Sequence, residues 1–142
     1  KARALVADMR SVVGGERGSG EGRPIDGIRP IEPGRLSAVD FADLAPGYDV
    51  IINATSTGLQ STELPVPAGV LARALLAYDM FYAAAPTAFM RQAERAGCAR
   101  AADGLGMLIE QAAESFLLWR GVRPDTAEVY AALRAELTAD SH

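Results

Sequence analysis

Apolar and polar positions alternate along this chain in two rhythms, one helical and one extended. Ala2 to Val13 has Leu5, Val6, Met9 and Val13 on one face, with Lys1, Arg3, Asp8 and Arg10 polar, which predicts a helix. Gly14 to Gly22, Gly-Gly-Glu-Arg-Gly-Ser-Gly-Glu-Gly, has almost nothing to bury and predicts a flexible loop. Ile25 to Ile31 predicts a short strand, its flanking Pro24 and Pro30 suiting a sheet edge. Leu36 to Leu44 predicts a short helix with Asp40 and Asp43 outward.

Tyr48 to Thr55 is the clearest strand. Val50, Ile51 and Ile52 form an unbroken apolar run, the pattern of a parallel strand buried on both faces. Asn53-Ala54-Thr55-Ser56-Thr57-Gly58 follows its carboxyl end, where open α/β sheets bind ligands. Those hydroxyls and amides either line such a site or only cap the loop. Leu64-Pro65-Val66-Pro67 is an extended connector, Ala68 to Leu75 a short helix, and Leu76 to Tyr82 a second buried strand. Pro86 to Gly97 predicts an amphipathic helix, with Phe89, Met90 and Ala93 inward and Arg91, Gln92, Glu94 and Arg95 outward. Gly97 is its stop. Ala99 to Ala102 predicts a brief strand.

The rest is organised around Asp103 to Arg120. Asp103 suits an N-cap, since its carboxylate can accept from first-turn N–H groups. Leu105, Leu108, Ile109, Ala112, Phe116 and Trp119 recur at helical spacing, while Met107 and Leu118 fall near the opposite side. Only Glu110 and Glu114 mark a clear water face, so this helix is expected to be largely buried. Gln111 is the odd residue, because an unpaired buried amide costs roughly 1–3 kcal/mol. Either Ser115 or a neighbouring backbone satisfies it, or it stands at the wall of a pocket for a polyhydroxylated ligand. Gly104 and Gly106 fit a ligand approaching the backbone, and equally a tight strand-to-helix turn. Gly121-Val122-Arg123-Pro124 breaks the helix, and Asp125 to Leu137 predicts a last amphipathic helix with Val129, Leu133 and Leu137 on one face.

Strands alternating with helices predict an α/β fold with a doubly wound parallel sheet. A dinucleotide fold opens with a strand, a Gly-x-Gly-x-x-Gly turn and a charged residue after the second strand. None of these is found here, and the Gly14–Gly22 loop follows a helix, so it is no substitute. It lacks the P-loop pattern as well.

The 142 residues suffice for one domain with a real core. A net charge of −4 offers no basic patch for nucleic acid. No apolar run reaches the ~18 residues of a membrane span, and no secretory signal opens the chain. The lone Cys98 suits a reducing cytoplasm and has no catalytic motif around it. With His142 the only histidine, neither a zinc site nor a Ser-His-Asp triad is expected. The first residue is Lys1 rather than Met, so the chain reads as beginning inside something larger.

Four motifs in order carry a resemblance: Asp49-Val50-Ile51-Ile52-Asn53-Ala54-Thr55-Ser56; Tyr78-Asp79-Met80-Phe81-Tyr82 with Thr87; Asp103-Gly104-Leu105-Gly106-Met107-Leu108-Ile109-Glu110-Gln111-Ala112-Ala113; and Phe116-Leu117-Leu118-Trp119-Arg120-Gly121-Val122-Arg123-Pro124-Asp125. Together they span a little over half of the chain. This set resembles the carboxyl-terminal half of shikimate dehydrogenase. The resemblance implies a partial Rossmann-type parallel sheet flanked by helices. Residues 1–142 would be an incomplete NADP-binding domain lacking its first β-α-β unit. Its closing helices, about 104–138, would pack on a missing amino-terminal substrate domain. The implied activity is the NADPH-dependent reduction of 3-dehydroshikimate to shikimate in aromatic amino-acid biosynthesis, in the cytoplasm.

By motif match, Met80 and Gly104 would meet the nicotinamide end of NADP through backbone atoms. Thr55 and Ser56 would line the cofactor crevice, and Tyr82 and Gln111 would reach the substrate. Lys1 lies where the family often carries a basic residue for the 2′-phosphate, a role open to a lysine; it is equally read as a solvated end residue. The family's catalytic Lys and Asp, its carboxylate-binding serines, its glycine-rich pyrophosphate loop and its Asn-Arg-Thr motif have no counterpart here. The first loop, with its glycine-rich insertion, is also longer than the resemblance predicts. The chain alone is therefore expected to be inactive, one piece of an enzyme, and fragile by itself. The alternatives are a non-catalytic α/β partner-binding module from a split or truncated gene, and a quinate/shikimate dehydrogenase relative. A homodimer is compatible with all of them.

Overall fold

The computed structural model describes residues 37–56 and 63–139. The predicted helix Ala2 to Val13, the Gly14–Gly22 loop, the strand Ile25 to Ile31 and Lys1 lie outside them. The chain divides into two compact units, Lys1–Asp43 and Leu44–His142. Of the first, the described part holds a single 3-10 turn, Phe41–Asp43, closed by Asp43 N–H on the Asp40 carbonyl at 3.0 Å. The helix expected over Leu36 to Leu44 is thus corrected, across residues 37–44, to one turn. So short a segment, running into Ala45-Pro46, gains too little from helical hydrogen bonds to propagate.

The second unit runs β1 (Val50–Asn53), α1 (Ala68–Leu71), β2 (Leu76–Asp79), α2 (Ala88–Ala96), β3 (Ala101–Ala102), α3 (Leu105–Arg120) and α4 (Thr126–Ala139). The three strands are parallel in the order β1-β2-β3, with Asn53 opposite Asp79 and Tyr78 opposite Ala102. Sequential order with right-handed crossovers sends both connecting helices to one face. The core lies there: Val70 and Leu71 of α1, Phe89 and Ala93 of α2 and Ala77 of β2 pack with Leu64 and Val66 of the connector. Thr87 caps α2 by accepting from Met90 N–H, and Gly97 ends it at φ 93°, a conformation glycine adopts without a Cβ penalty.

Gln92 departs from its expected outward position. Its amide takes both the N–H and the carbonyl of Leu64, at 3.1 and 2.7 Å, tying the connector to α2. The double-sided burial expected of β1 is also corrected. Ile51 and Asn53 face the core side, while Val50 and Ile52 are 51% and 59% exposed. An apolar run shows that both faces suit burial; among the described residues only one face is covered.

α3 and α4 pack as a hairpin around a cavity of about 320 Å³ lined by Leu108, Ile109, Phe116, Val129 and Leu133. Gly121 turns the corner at φ 73°. Arg123 then bridges back to Glu110 and Glu114 at 2.5 and 2.8 Å, and the Thr126 hydroxyl donates to Glu110 at 2.8 Å. The largely buried α3 of the sequence reading is corrected too. Leu105, Ile109 and Ala113 are buried, but Leu118 and Trp119 are 83% and 80% exposed, because the packed face runs out after the third turn. Among the described residues no helix is long and apolar enough to cross a membrane.

Candidate functional site

Parallel pairing brings the carboxyl ends of β1, β2 and β3 to one edge, and Asn53, Asp79 and Thr87, the buried polar residues among those described, gather there. Asp79, the last residue of β2, is fully buried. Burying a carboxylate without partners would cost several kcal/mol, on the order of the figures for any unpaired ion. Asp79 has three donors instead. Its Oδ1 accepts from the Asn53 amide and from Phe81 N–H, each at 3.1 Å, and its Oδ2 accepts from the Thr87 hydroxyl at 2.6 Å. Thr87 in turn accepts from Met90 N–H at 3.2 Å. Asn53 Oδ1 accepts from the backbone N–H and the hydroxyl of Thr55, at 3.0 and 2.7 Å. One buried network therefore joins the end of β1, the loop after β2 and the start of α2.

The loop after β2 continues into contact with the start of α3. Met80 N–H donates to the Asn53 carbonyl at 2.9 Å, and Gly104 N–H donates to the Phe81 carbonyl at 3.1 Å. A Cβ on Gly104 would stand 2.1 Å from the Met80 carbonyl oxygen, far inside any tolerable contact. The space left by the missing side chain is thus filled by the Met80 carbonyl. This favours the strand-to-helix turn for Gly104 and brings two of the expected nicotinamide contacts, Met80 and Gly104, against each other. Thr55 and Ser56 are exposed beyond β1, Met80 is exposed beyond β2, and Tyr82 is half-buried on the same loop, its ring 6.4 Å from that of Phe81.

Gln111 requires a correction. It is exposed, not buried. The packed face of α3 centres on Ile109, and Gln111 lies roughly 200° round the helix from it, at about 100° per residue. Ser115, one of its expected partners, donates to the Gln111 backbone carbonyl at 2.9 Å and not to the amide oxygen.

Asp103 occupies the position before the helix cap and not the cap itself, which is Gly104. Its Oδ1 accepts from Leu105 N–H at 3.3 Å and pairs with Arg134 at 2.7 Å. Arg134 also donates to the Ala83 carbonyl at 3.0 Å and to the Tyr130 hydroxyl at 3.2 Å. The Asp103 carboxylate beside it raises the Arg134 pKa further above its ordinary range. Arg134 therefore ties α4 to the residue before Gly104 and to the residue after Tyr82. It also lines, with Tyr78, Pro86, Asp103 and Tyr130, a cavity of about 410 Å³. The sequence reading missed Asp79, Asn53 and Arg134 as structural centres. The signal for the first two was their common place at the ends of apolar runs.

Three parallel strands, helices on the core face and an accessible polar edge at the strand carboxyl ends define an α/β domain of the Rossmann-like class. Residues 104–134 match the family model described as Shikimate 5'-dehydrogenase C-terminal domain. A curated NADP(+) shikimate dehydrogenase of Bordetella petrii is 59% identical over 102 residues, covering 72% of this chain and 36% of that protein. Among solved structures, an Ael1 enzyme from Pseudomonas putida matches with 53% identity and a TM-score of 0.57, covering 60% of this chain and 31% of that one. A shikimate dehydrogenase crystallised in complex with NADP+ matches with 32% identity and a TM-score of 0.56, covering 63% and 32%. In sequence, the chain is related to the carboxyl-terminal part of the NADP-dependent shikimate dehydrogenases. It spans 36% to 40% of the length of those curated relatives.

Proposed function

We propose that this chain is the carboxyl-terminal part of an NADP-dependent shikimate dehydrogenase and acts in aromatic amino-acid biosynthesis in the cytoplasm. The observation that carries this reading is the 59% identity to such an enzyme over 102 residues. The geometry supports it. The rigid edge where Met80 meets Gly104 is a surface against which a flat ring can lie, and Thr55 and Ser56 stand exposed at the neighbouring strand end. These residues suit the nicotinamide end of NADP. The glycine-rich pyrophosphate turn has no counterpart in this sequence, so the chain supplies only part of that site.

Bound at this edge, NADPH would supply the hydride that reduces the carbonyl carbon of 3-dehydroshikimate, and a proton would complete the shikimate hydroxyl. The roles of this chain are orientation and binding. The Met80 and Gly104 backbones hold the nicotinamide end, and Tyr82 and the exposed Gln111 amide reach the ring hydroxyls of the substrate. The acid–base lysine and aspartate come from an amino-terminal substrate domain, the chain's principal partner. Residues 1–142 form the cofactor-side domain, with helices of about 104–138 closing on that partner.

The test is to assay the polypeptide as it occurs in its source, and the 142-residue chain alone, for NADP-dependent oxidation of shikimate. The full polypeptide is expected to turn over and the isolated chain is not. A full polypeptide that neither binds NADP nor oxidises shikimate would replace this reading with a non-catalytic partner-binding module. Preference for quinate over shikimate in the same assay would move it to the quinate/shikimate dehydrogenase relatives.

A further inference from the structure

The peptide unit between Met80 and Phe81 carries two groups at once: the Met80 carbonyl and the Phe81 N–H. Because the unit is planar, fixing one fixes the direction of the other. The Met80 carbonyl fills the space beside Gly104, and the Phe81 N–H donates to Asp79 Oδ1 at 3.1 Å. Asp79 is itself immobilised by Asn53 and by Thr87, from two other elements, and is fully buried. We propose that Asp79 is a positioning residue for the nicotinamide end of NADP, holding the Met80–Phe81 peptide in the plane that the cofactor meets. The inference rests on the dehydrogenase reading above.

The chemistry of the carboxylate explains why an aspartate is needed. Three donors converge on it: the Asn53 amide, the Phe81 N–H and the Thr87 hydroxyl. An ionised carboxylate accepts from all three, because both oxygens are acceptors only. An asparagine of the same shape has one acceptor oxygen, so its NH₂ must face at least one of these donors. With its NH₂ toward Thr87, the hydroxyl must swing its proton away. With the amide flipped, Phe81 N–H and Asn53 lose their acceptor. In the first orientation Phe81 N–H keeps only a neutral amide oxygen, a weaker acceptor than a carboxylate, and in the second it has none, so the peptide that carries the Met80 carbonyl is less firmly held while the fold keeps its packing.

The test uses the full polypeptide and the Asp79→Asn variant. NADP affinity is measured by calorimetry, Phe81 amide exchange by hydrogen-exchange mass spectrometry, and steady-state constants for both ligands alongside. Losing one charge-assisted hydrogen bond at this site is expected to raise the NADP dissociation constant about ten-fold. The KM for shikimate should stay within about two-fold, and exchange at Phe81 should accelerate. Thr87→Val, which deletes one donor and leaves the carboxylate, should follow in the same direction. Thr87→Ser, which keeps the hydroxyl, should restore affinity. If Asp79→Asn does not fold, Thr87→Val decides by the same readouts. A lower melting temperature with NADP affinity and Phe81 exchange unchanged would overturn the positioning role and leave Asp79 purely structural. Absence of NADP binding and turnover in the unsubstituted polypeptide would instead overturn the dehydrogenase reading.

Discussion

At the scale of single residues, the strand-end edge depends on a few closely fitted positions. Gly104 is the sharpest. Its neighbour at 2.1 Å from a hypothetical Cβ is a backbone carbonyl, which cannot rotate aside as a flexible side chain could. Gly104→Ala must therefore push α3 away from the loop after β2. The expected cost is about 3 kcal/mol, the upper end of the usual range for overpacking, read as a shift in the urea midpoint of the full polypeptide. A loss below about 0.5 kcal/mol, the level of a neutral surface change, would show that the contact can relax. The glycine was legible in the sequence, but its reason was not: two readings stood, and the Met80 carbonyl settles which atoms occupy the space. The sequence pattern alone gives Asp79 no role of its own. Its importance arises from the register that sets Asn53 opposite Asp79, and pairing register is a relation between two distant segments that neither segment states alone.

At the scale of elements, strand and helix order was legible wherever an apolar rhythm was bounded by breakers. β1, β2, α2 and α3 fall within the predicted stretches, and α4 starts one residue later than predicted and runs two residues past Leu137. Burial was less legible, as β1 and α3 show: a pattern records which surface suits burial, whereas coverage depends on what packs there. The α3–α4 corner offers a pH test. Glu110 is held below the ordinary carboxylate range, chiefly by the Thr126 hydroxyl and then by Arg123. A folded-state value below the unfolded one means that the unfolded chain binds more protons between the two. The Glu110 contribution is then complete above about pH 4.3 and is lost as pH falls through the lowered value. Glu110→Gln should lower the urea midpoint at about pH 7, and the gap to the unsubstituted protein should narrow as pH falls below about 4. Being exposed, this cluster should contribute modestly. A gap that widened in acid would contradict the assignment.

At the scale of the molecule, the exposed apolar residues stand out. Val50 and Ile52 on one face of the sheet and Leu118 and Trp119 near the end of α3 present large side chains to solvent. Such surface favours association. The isolated 142-residue chain is expected to self-associate in light scattering and to melt broadly. The double substitution Leu118→Glu with Trp119→Glu should reduce that association, and a sharp, monomeric two-state melt of the unsubstituted chain would argue against this reading. Lys1 and the strand Ile25 to Ile31 fall outside the described residues, so their expected roles gain no support from the structure. Tyr82 and Gln111 lie on separate elements, the loop after β2 and the outer face of α3. A crystal structure of the full polypeptide with NADP tests the central claim most directly. The nicotinamide ring is predicted to lie against the Met80–Phe81 peptide and Gly104, at the carboxyl ends of β2 and β3. A dinucleotide bound elsewhere, with that edge left to solvent, would contradict the account.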